Sequence, residues 1–434
     1  MLDALEHAVG HQLAQLFGKR RLADVADAAT QLAKMAHIAQ RYVEQDLYLP
    51  LPADHALDGR NRAAAFDFLP RSPCQSPLPR SPARYSRKRQ YFNSEIFFCM
   101  IPANKKQGAA QRRPASRDPI GGIMHYTGTI WRPPYEWDSL LLEATAGCTH
   151  RACRFCTLYD ELPFKFRGPD MGAIESDLLE VQTLRTSPDA PMMARLLGQA
   201  RPEGIRRVFL TGANPFALPA GKLLEIAGMI HRYLPSVETI GCFARITDSL
   251  RKTDGDLKRL REAGFTRLTI GVETGDDDAL RFMRKGYTSR DVLEQCRRLE
   301  AAGIDYAFFY LVGIHGKGRG AAGAKTSAAV FNQLHPFLVG PNMLTVFPNS
   351  ELAREIKRAA WRECSEHEKY REIRALVEQL DIPTQIALMG ASNAFFLEGR
   401  LPGDKARLLS ELDGILQRCD VNDLRRYRES LPSL

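Results

Sequence analysis

No stretch of the 434-residue sequence approaches the roughly 18 consecutive apolar residues a helix needs to cross a bilayer. The longest candidate, Ile96 to Pro102 (IFFCMIP), is far too brief. The start of the chain, with Asp3 and Glu6, lacks the basic, apolar and small-residue progression of a secretory leader. There is no regular cysteine framework either: the nine cysteines are odd in number and mostly scattered, which argues for reduced thiols. Together these absences lead to the expectation of a cytoplasmic protein with no membrane contact. A C-x2-C pair occurs once, so the two separated knuckles of a common zinc module are missing. A basic excess is also missing over most of the chain. Residues 71–118 hold eleven Lys or Arg against Glu95 and Asp118, which accounts for the whole formal net charge of +9. The remainder has no surplus to track a phosphate backbone, and nucleic acid is not an expected partner.

What is present is a cluster. Cys148, Cys153 and Cys156 fall within nine residues, CTHRACRFC. Three soft thiolates on one short loop can hold a metal centre, yet they are one ligand short of a closed four-cysteine cage, so an open coordination position is implied. The segment before them, SLLLEAT (139–145), is apolar and strand-like, and Gly147 breaks it. Cofactor loops at the C-terminal ends of parallel strands are the usual arrangement in barrels and open α/β folds. Cys242, Cys296 and Cys419 lie in apolar or helical stretches and read as ordinary buried residues.

Composition divides the chain. Residues 1–60 show helical spacing (Leu5, Val9, Leu13, Leu16; then Val25, Ala29, Leu32) and read as a helical appendage. Residues 61–123 form a basic segment with RSPCQSPLPRSP and KKQGAAQRRPAS, unable to bury enough apolar surface to offset chain entropy, and read as a disordered linker. From 124 to 350 one unit repeats. Helical runs stop at Gly204, Gly264 and Gly303, each followed by an apolar or β-branched run: IRRVFLTG, FTRLTIGVETG and IDYAFFYLVG. With SLLLEAT, VETIGCFARIT and FLVGPNMLTVF this predicts six parallel strands with helical crossovers. The expected fold is α/β, a partial (β/α)6 TIM-like barrel; a doubly wound sheet is the alternative. Residues 351–434 read as a C-terminal helical extension, with ASNAFFLEGRLP as a loop from which Asn393, Phe395 and Arg400 close the open side.

Asn214, Arg245, Glu273, Thr274 and His315 fall at strand ends and are expected on the rim that carries the cysteines. Tyr306, Phe308 and Tyr310 alternate along the fifth strand, lining the interior or packing the core.

At this point the sequence resembles the radical S-adenosylmethionine (radical SAM) enzymes. The residues that carry the likeness are the cysteine loop with Phe155 before its last cysteine, LTGAN after the second strand, and GVETGDDDALRFMRKGYT after the fourth. The tail resembles that of small members without a cobalamin domain. The resemblance implies that Cys148, Cys153 and Cys156 bind three irons of a [4Fe-4S] cluster whose fourth iron chelates S-adenosylmethionine. It further implies that Phe155, Gly212, Ala213, Asn214, Arg245, Glu273, Thr274, Gly313 and Ile314 contact that cofactor. The implied activity is reductive cleavage to methionine and a 5'-deoxyadenosyl radical, which takes hydrogen from a substrate no motif names. The electron donor would be a protein such as flavodoxin or ferredoxin. Two departures stand out: four residues separate the first two cysteines where three are commonest, and LTGAN lacks an acidic residue, so Asn214 offers only a carbonyl acceptor. The competing readings are a zinc site completed by His150 or His315, and an RNA-modifying member that uses the basic segment.

Overall fold

The computed structural model describes residues 124–186 and 204–430. The helical appendage and basic linker expected over 1–123 lie outside them. Eight strands are hydrogen-bonded in chain order: β1 (Leu140–Glu143), β2 (Arg207–Thr211), β3 (Thr239–Ala244), β4 (Phe265–Glu273), β5 (Asp305–Val312), β6 (Leu338–Met343), β7 (Gln385–Leu388) and β8 (Leu397–Arg400). The first six are parallel, each joined to the next through helical crossovers, and β1 lies at a sheet edge. This is the expected partial barrel.

The crossover helices, which begin with α1 (Met171–Thr186), α2 (Ala220–Tyr233) and α3 (Ile246–Ser249) and include α5 (Asp277–Phe282) after β4, start and stop as their sequences dictate. Thr253 and Thr288 cap α4 (Asp254–Glu262) and α6 (Ser289–Ala301) in reciprocal boxes with Asp256 and Asp291. Gly264 and Gly303 then adopt φ of +97° and +74°, the left-handed turn that releases the chain into β4 and β5.

Alternation along the strands sorts side chains onto two faces. On the outer face Tyr306, Phe308 and Tyr310 are fully buried, and the Phe308 ring lies 4.9 Å from Phe331 of α7 (Gly320–Phe331). Of the two readings of that aromatic row, core packing is the one observed. On the inner face Phe209 meets Phe243 at 5.0 Å, and Phe243 meets Phe309 at 6.5 Å. The segment leading into β1 crosses this face: Tyr126 and Ile130 join Leu141 and Phe209 in one apolar cluster, and the Tyr135 hydroxyl lies 2.5 Å from Thr269 Oγ1. Buried Glu136 takes a two-pronged ion pair from Arg207 at the start of β2. The strands' N-terminal end is thereby floored, and chemistry is left to the C-terminal rim.

The C-terminal region departs from expectation. Helices α9 (Glu366–Gln379) and α10 (Lys405–Arg418) are present, but the extension is not wholly helical. Residues 385–388 pair parallel with β6, and 397–400, expected as loop, return antiparallel, so two strands extend the sheet past its sixth. Each is four residues long, too short for a period-two signal to stand out, and the free edge of β6 supplies the partner that local sequence does not reveal. Among the described residues, no helix is long and apolar enough to cross a membrane.

Candidate active site

Past β1 the chain forms a two-residue ribbon, Ala146–Gly147, paired antiparallel with Phe166–Arg167, and the Cys148 amide donates to Lys165 O at 3.0 Å. The cysteine loop that follows is fastened from three directions. Toward the end of β2, the Thr149 amide donates to Asn214 Oδ1 at 3.2 Å while Asn214 Nδ2 donates back to Thr149 Oγ1 at 2.7 Å. Beyond β4, His150 Nε2 donates to Arg284 O at 2.6 Å and the Arg154 amide to Met283 O at 3.2 Å. Near α8 (Glu351–Lys357), the Leu352 amide donates to Arg154 O at 2.7 Å, and Arg154 also pairs with Glu351. A turn in which the Cys156 amide donates to Cys153 O at 3.2 Å brings the last two cysteines round.

The three thiols share one electrostatic neighbourhood. Burial pushes the Cys153 thiol up, opposed by the cations of Lys285 and Arg245. Cys156 presents an open face to solvent, but protein atoms crowd its sulfur. That desolvation pushes it up to about 12, with Cys153 and Cys148 adding to the rise. Thiols that resist ionisation alone become thiolates when a metal supplies the compensating charge.

Lys285 is the charge the sequence did not announce. It is buried and donates to Glu273 Oε1 at 3.0 Å, with its ammonium 5.8 Å from the Phe155 ring and 5.6 Å from the Tyr287 ring. Burial opposes its charge, yet the Glu273 carboxylate more than restores it and holds its pKa above the ordinary lysine range. Glu273 itself has φ of +61°, a left-handed conformation that costs a non-glycine residue on the order of 1 kcal/mol, and one associated with functional sites. Arg245 donates to Lys285 O and Thr247 Oγ1. The rim of β3 and β4 thus presents Arg245, Glu273 and Lys285 beside Cys153 and Phe155.

The other expected contacts divide. Gly212, at φ +119°, packs so closely that a Cβ would stand 2.1 Å from Thr145 Oγ1, and Ala213 follows it half-buried. Asn214 is fully buried, and its amide is committed to Thr149 and to Asp248, 3.1 Å away. Ile314 belongs to the apolar cluster of Ala279, Met283, Leu344, Leu352 and Trp361 against which Phe155 packs. Thr274, Gly313 and His315 instead sit in a separate buried polar network around Glu372. Asn393 donates to Pro341 O and Phe395 meets Tyr370 edge-on, so both pack against neighbouring elements, while Arg400 is exposed on β8. Lys285, Tyr287, Asp248 and Glu372 were assigned no role from sequence. Lys285 stands inside the MRKGYT string, but nothing in its spacing tells that the segment folds back onto the cysteines.

The donor set suits an iron-sulfur cluster better than zinc. Among the described residues, no three His, Cys, Asp or Glu converge on a point that could hold a single metal ion. A zinc centre needs four ligands at about 2.0–2.3 Å from one atom, whereas a cluster gives each thiolate its own iron. The two histidines offered as a fourth zinc ligand are engaged elsewhere: His150 by Arg284 O, His315 by Glu372 and Thr274. Thr145 Oγ1 and Arg245 Nε are buried without partners beside the loop, as groups awaiting a polar ligand would be. Thr145 also lines a cavity of about 370 Å³ at the free edge of β1.

Residues 142–320, from β1 to the first residue of α7, match the model of the Radical SAM superfamily. The chain carries a radical SAM domain. Such domains use a [4Fe-4S] cluster and S-adenosylmethionine as cofactors. The chain is similar to the heme chaperone HemW of Bacillus subtilis, 29% identical over 101 residues that make up 23% of this chain and 27% of that protein. It is also similar to the tRNA-2-methylthio-N(6)-dimethylallyladenosine synthase of Alkalilimnicola ehrlichii, 30% identical over 198 residues, 43% of this chain and 38% of that one. It therefore spans well under half the length of either relative. Solved structures with a likeness to the radical SAM domain include coproporphyrinogen III oxidase from Escherichia coli, with 14% identity, a TM-score of 0.39, and coverage of 55% of this chain and 51% of that one.

Proposed function

We propose that this protein is a radical SAM enzyme in which Cys148, Cys153 and Cys156 hold a [4Fe-4S] cluster. When bound, the cluster supplies an electron to the sulfonium of S-adenosylmethionine, giving methionine and a 5'-deoxyadenosyl radical that takes hydrogen from a substrate. The observation that carries the reading is the set of three thiols on one loop, one ligand short of a cage, with half-buried Arg245 and the Lys285–Glu273 pair beside it.

The chain's own residues bind and orient. Phe155 and Ile314, on one apolar cluster, provide a surface for the adenine. The turn at Gly212 and Ala213 offers backbone acceptors to the methionine amino group, and Glu273 accepts from the ribose. Arg245 carries a donor with no internal partner, suited to a carboxylate. Asn214 fits a supporting role best, since its amide is committed to the loop. The aromatic floor of Phe209, Phe243 and Phe309 excludes water from below, which a carbon radical requires.

Anaerobic reconstitution tests this. The expected outcome is iron and sulfide near four per chain, 5'-deoxyadenosine on reduction with dithionite, and loss of both in Cys153→Ala. One equivalent of zinc without sulfide, or equal product from both proteins, overturns the proposal. Similarity to a tRNA-modifying enzyme favours RNA as a second substrate class. Stimulation of 5'-deoxyadenosine formation by tRNA but not by mononucleotides is the result that would select it.

A further inference from the structure

The C-terminal helix α9 places one carboxylate where the tips of β4 and β5 meet. Glu372, with no exposed surface, accepts from Tyr310 OH at 2.7 Å and from the Gly313 amide at 2.9 Å, and its Oε1 lies 3.2 Å from His315 Nδ1. His315 passes the link on: Nε2 is 3.0 Å from Thr274 Oγ1, which lies 2.8 Å from Ser327 Oγ and accepts from the Asp276 amide. Ser327 in turn accepts from the Gly275 amide at 2.9 Å. One helix outside the matched domain thus grips the backbone on both sides of the rim, at Gly313 beside Ile314 and at Thr274–Asp276 beside left-handed Glu273.

Two glycines one turn apart on α7 make the seat. A Cβ at Gly320 would lie 2.5 Å from Glu372 Oε2, and one at Gly323 would lie 2.2 Å from the His315 ring. Helix α7 approaches this closely only because both positions lack a side chain.

We infer that Glu372 is a positioning residue for S-adenosylmethionine: it acts through Gly313 and through His315–Thr274 to fix the two rim segments that meet the nucleoside, without touching the cofactor. This rests on the proposed function. A carboxylate is needed because the hub faces donors: Tyr310 O–H and His315 on one oxygen, the Gly313 N–H on the other. Glutamine can keep its oxygen on the Gly313 N–H only by turning its NH₂ toward Tyr310 and His315, which must then accept instead of donate, reversing the proton order that runs from His315 to Thr274.

The test uses the full chain, reconstituted anaerobically, with S-adenosylmethionine as probe in equilibrium binding and initial-rate measurements. In Glu372→Gln, iron and sulfide stay at the wild-type level because the cysteine loop is fastened elsewhere. The Kd and KM for S-adenosylmethionine rise at least about tenfold, the loss of one charge-assisted hydrogen bond's worth of ordering, while kcat at saturation falls less. Faster amide hydrogen exchange at Gly313 and Gly275–Asp276 accompanies the change. Gly323→Ala, which displaces His315 without altering Glu372, shifts Kd in the same direction and serves if the first variant does not fold. Wild-type Kd in a variant whose rim amides exchange faster overturns this inference alone. A wild-type protein that takes up no S-adenosylmethionine overturns the proposed function, and the inference with it.

Discussion

Removing the Lys285 ammonium leaves the Glu273 carboxylate buried without its partner. Their side chains are 5% and 14% exposed and meet at 3.0 Å, so neither charge recovers full hydration when the other is removed. Breaking such a pair from one side costs about 3–5 kcal/mol, most of it the penalty of the stranded charge. Lys285→Met and Glu273→Gln are therefore each expected to destabilise the cluster-free protein by amounts of that order. The double variant strands neither charge and is expected to be no less stable than either single variant, which sets the coupling in a double-mutant cycle at about 3–5 kcal/mol, the size of one single effect. Chemical denaturation of the apoprotein at pH 7.5 measures all four corners without any cofactor. Additive single effects, with coupling under about 0.5 kcal/mol, would refute the claim that the two charges depend on each other. Because Lys285 also lowers the cost of ionising Cys153, Lys285→Met is further expected to take up iron more slowly during reconstitution than Glu273→Gln.

Gly212→Ala drives a methyl group to within 2.1 Å of Thr145 Oγ1 and is expected to abolish S-adenosylmethionine binding or prevent folding, read by calorimetric titration and circular dichroism. Asn214→Ala releases both Thr149 contacts and is expected to lose cluster several-fold faster under chelator challenge, the scale of about 1 kcal/mol for a neutral hydrogen bond, while its S-adenosylmethionine affinity stays within about threefold. An unchanged cluster lifetime with weakened cofactor binding would return Asn214 to a ligand role. Burial of Lys252 pulls its pKa from 10.5 to about 8, partly opposed by Asp248. Between those values the unfolded chain holds a proton the folded one has lost, so this group's contribution to stability rises with pH from about 8 to about 10.5. The melting temperature of Lys252→Met, relative to wild type, is expected to fall across that window, and a flat difference would count against the shift.

The six parallel strands were legible as largely buried apolar runs, three of them entered through a helix-stop glycine and four of them left through a polar rim residue. The cysteine loop was legible from spacing alone. The other features were not, because each depends on a tertiary contact that its own stretch of sequence does not announce. Strand β8 is four residues whose alternation means little until β7 lies beside it. Lys285 looks like one charge among many in RFMRKGYT until the chain turns at Gly286 and carries it beneath Phe155. Asn214 was expected to reach a ligand because the residue type and strand-end position permit it. The sequence holds no sign that Asp248 and Thr149 claim the amide first. Thr274 and His315 stand at the strand ends as expected, yet their side chains turn away from the cysteines to Glu372, a residue nearly sixty positions downstream of His315.

Under the proposed function, the fastening of the cysteine loop decides how the cluster would be acquired. In a zinc finger the ligands are disordered until metal arrives, so binding free energy is also folding free energy. Here backbone or side-chain bonds to Asn214, Met283, Arg284, Glu351 and Leu352 fix the residues around Cys153 within the protein itself. The ordering entropy of the loop, about 1–2 kcal/mol per residue, is met during folding of the barrel and need not be drawn from thiolate–iron bonding. The remaining obstacle to uptake is electrostatic, since the thiols near Cys153 and Cys156 are held protonated by burial. Lys285 and Arg245 oppose that obstacle at Cys153, so cations inherited from the far side of β3 and β4 support metal binding on a loop that follows β1. The MRKG segment is thereby tied to the cysteines by chemistry as well as by packing, and loss of Lys285 should slow cluster assembly as well as lower the stability of the cluster-free protein.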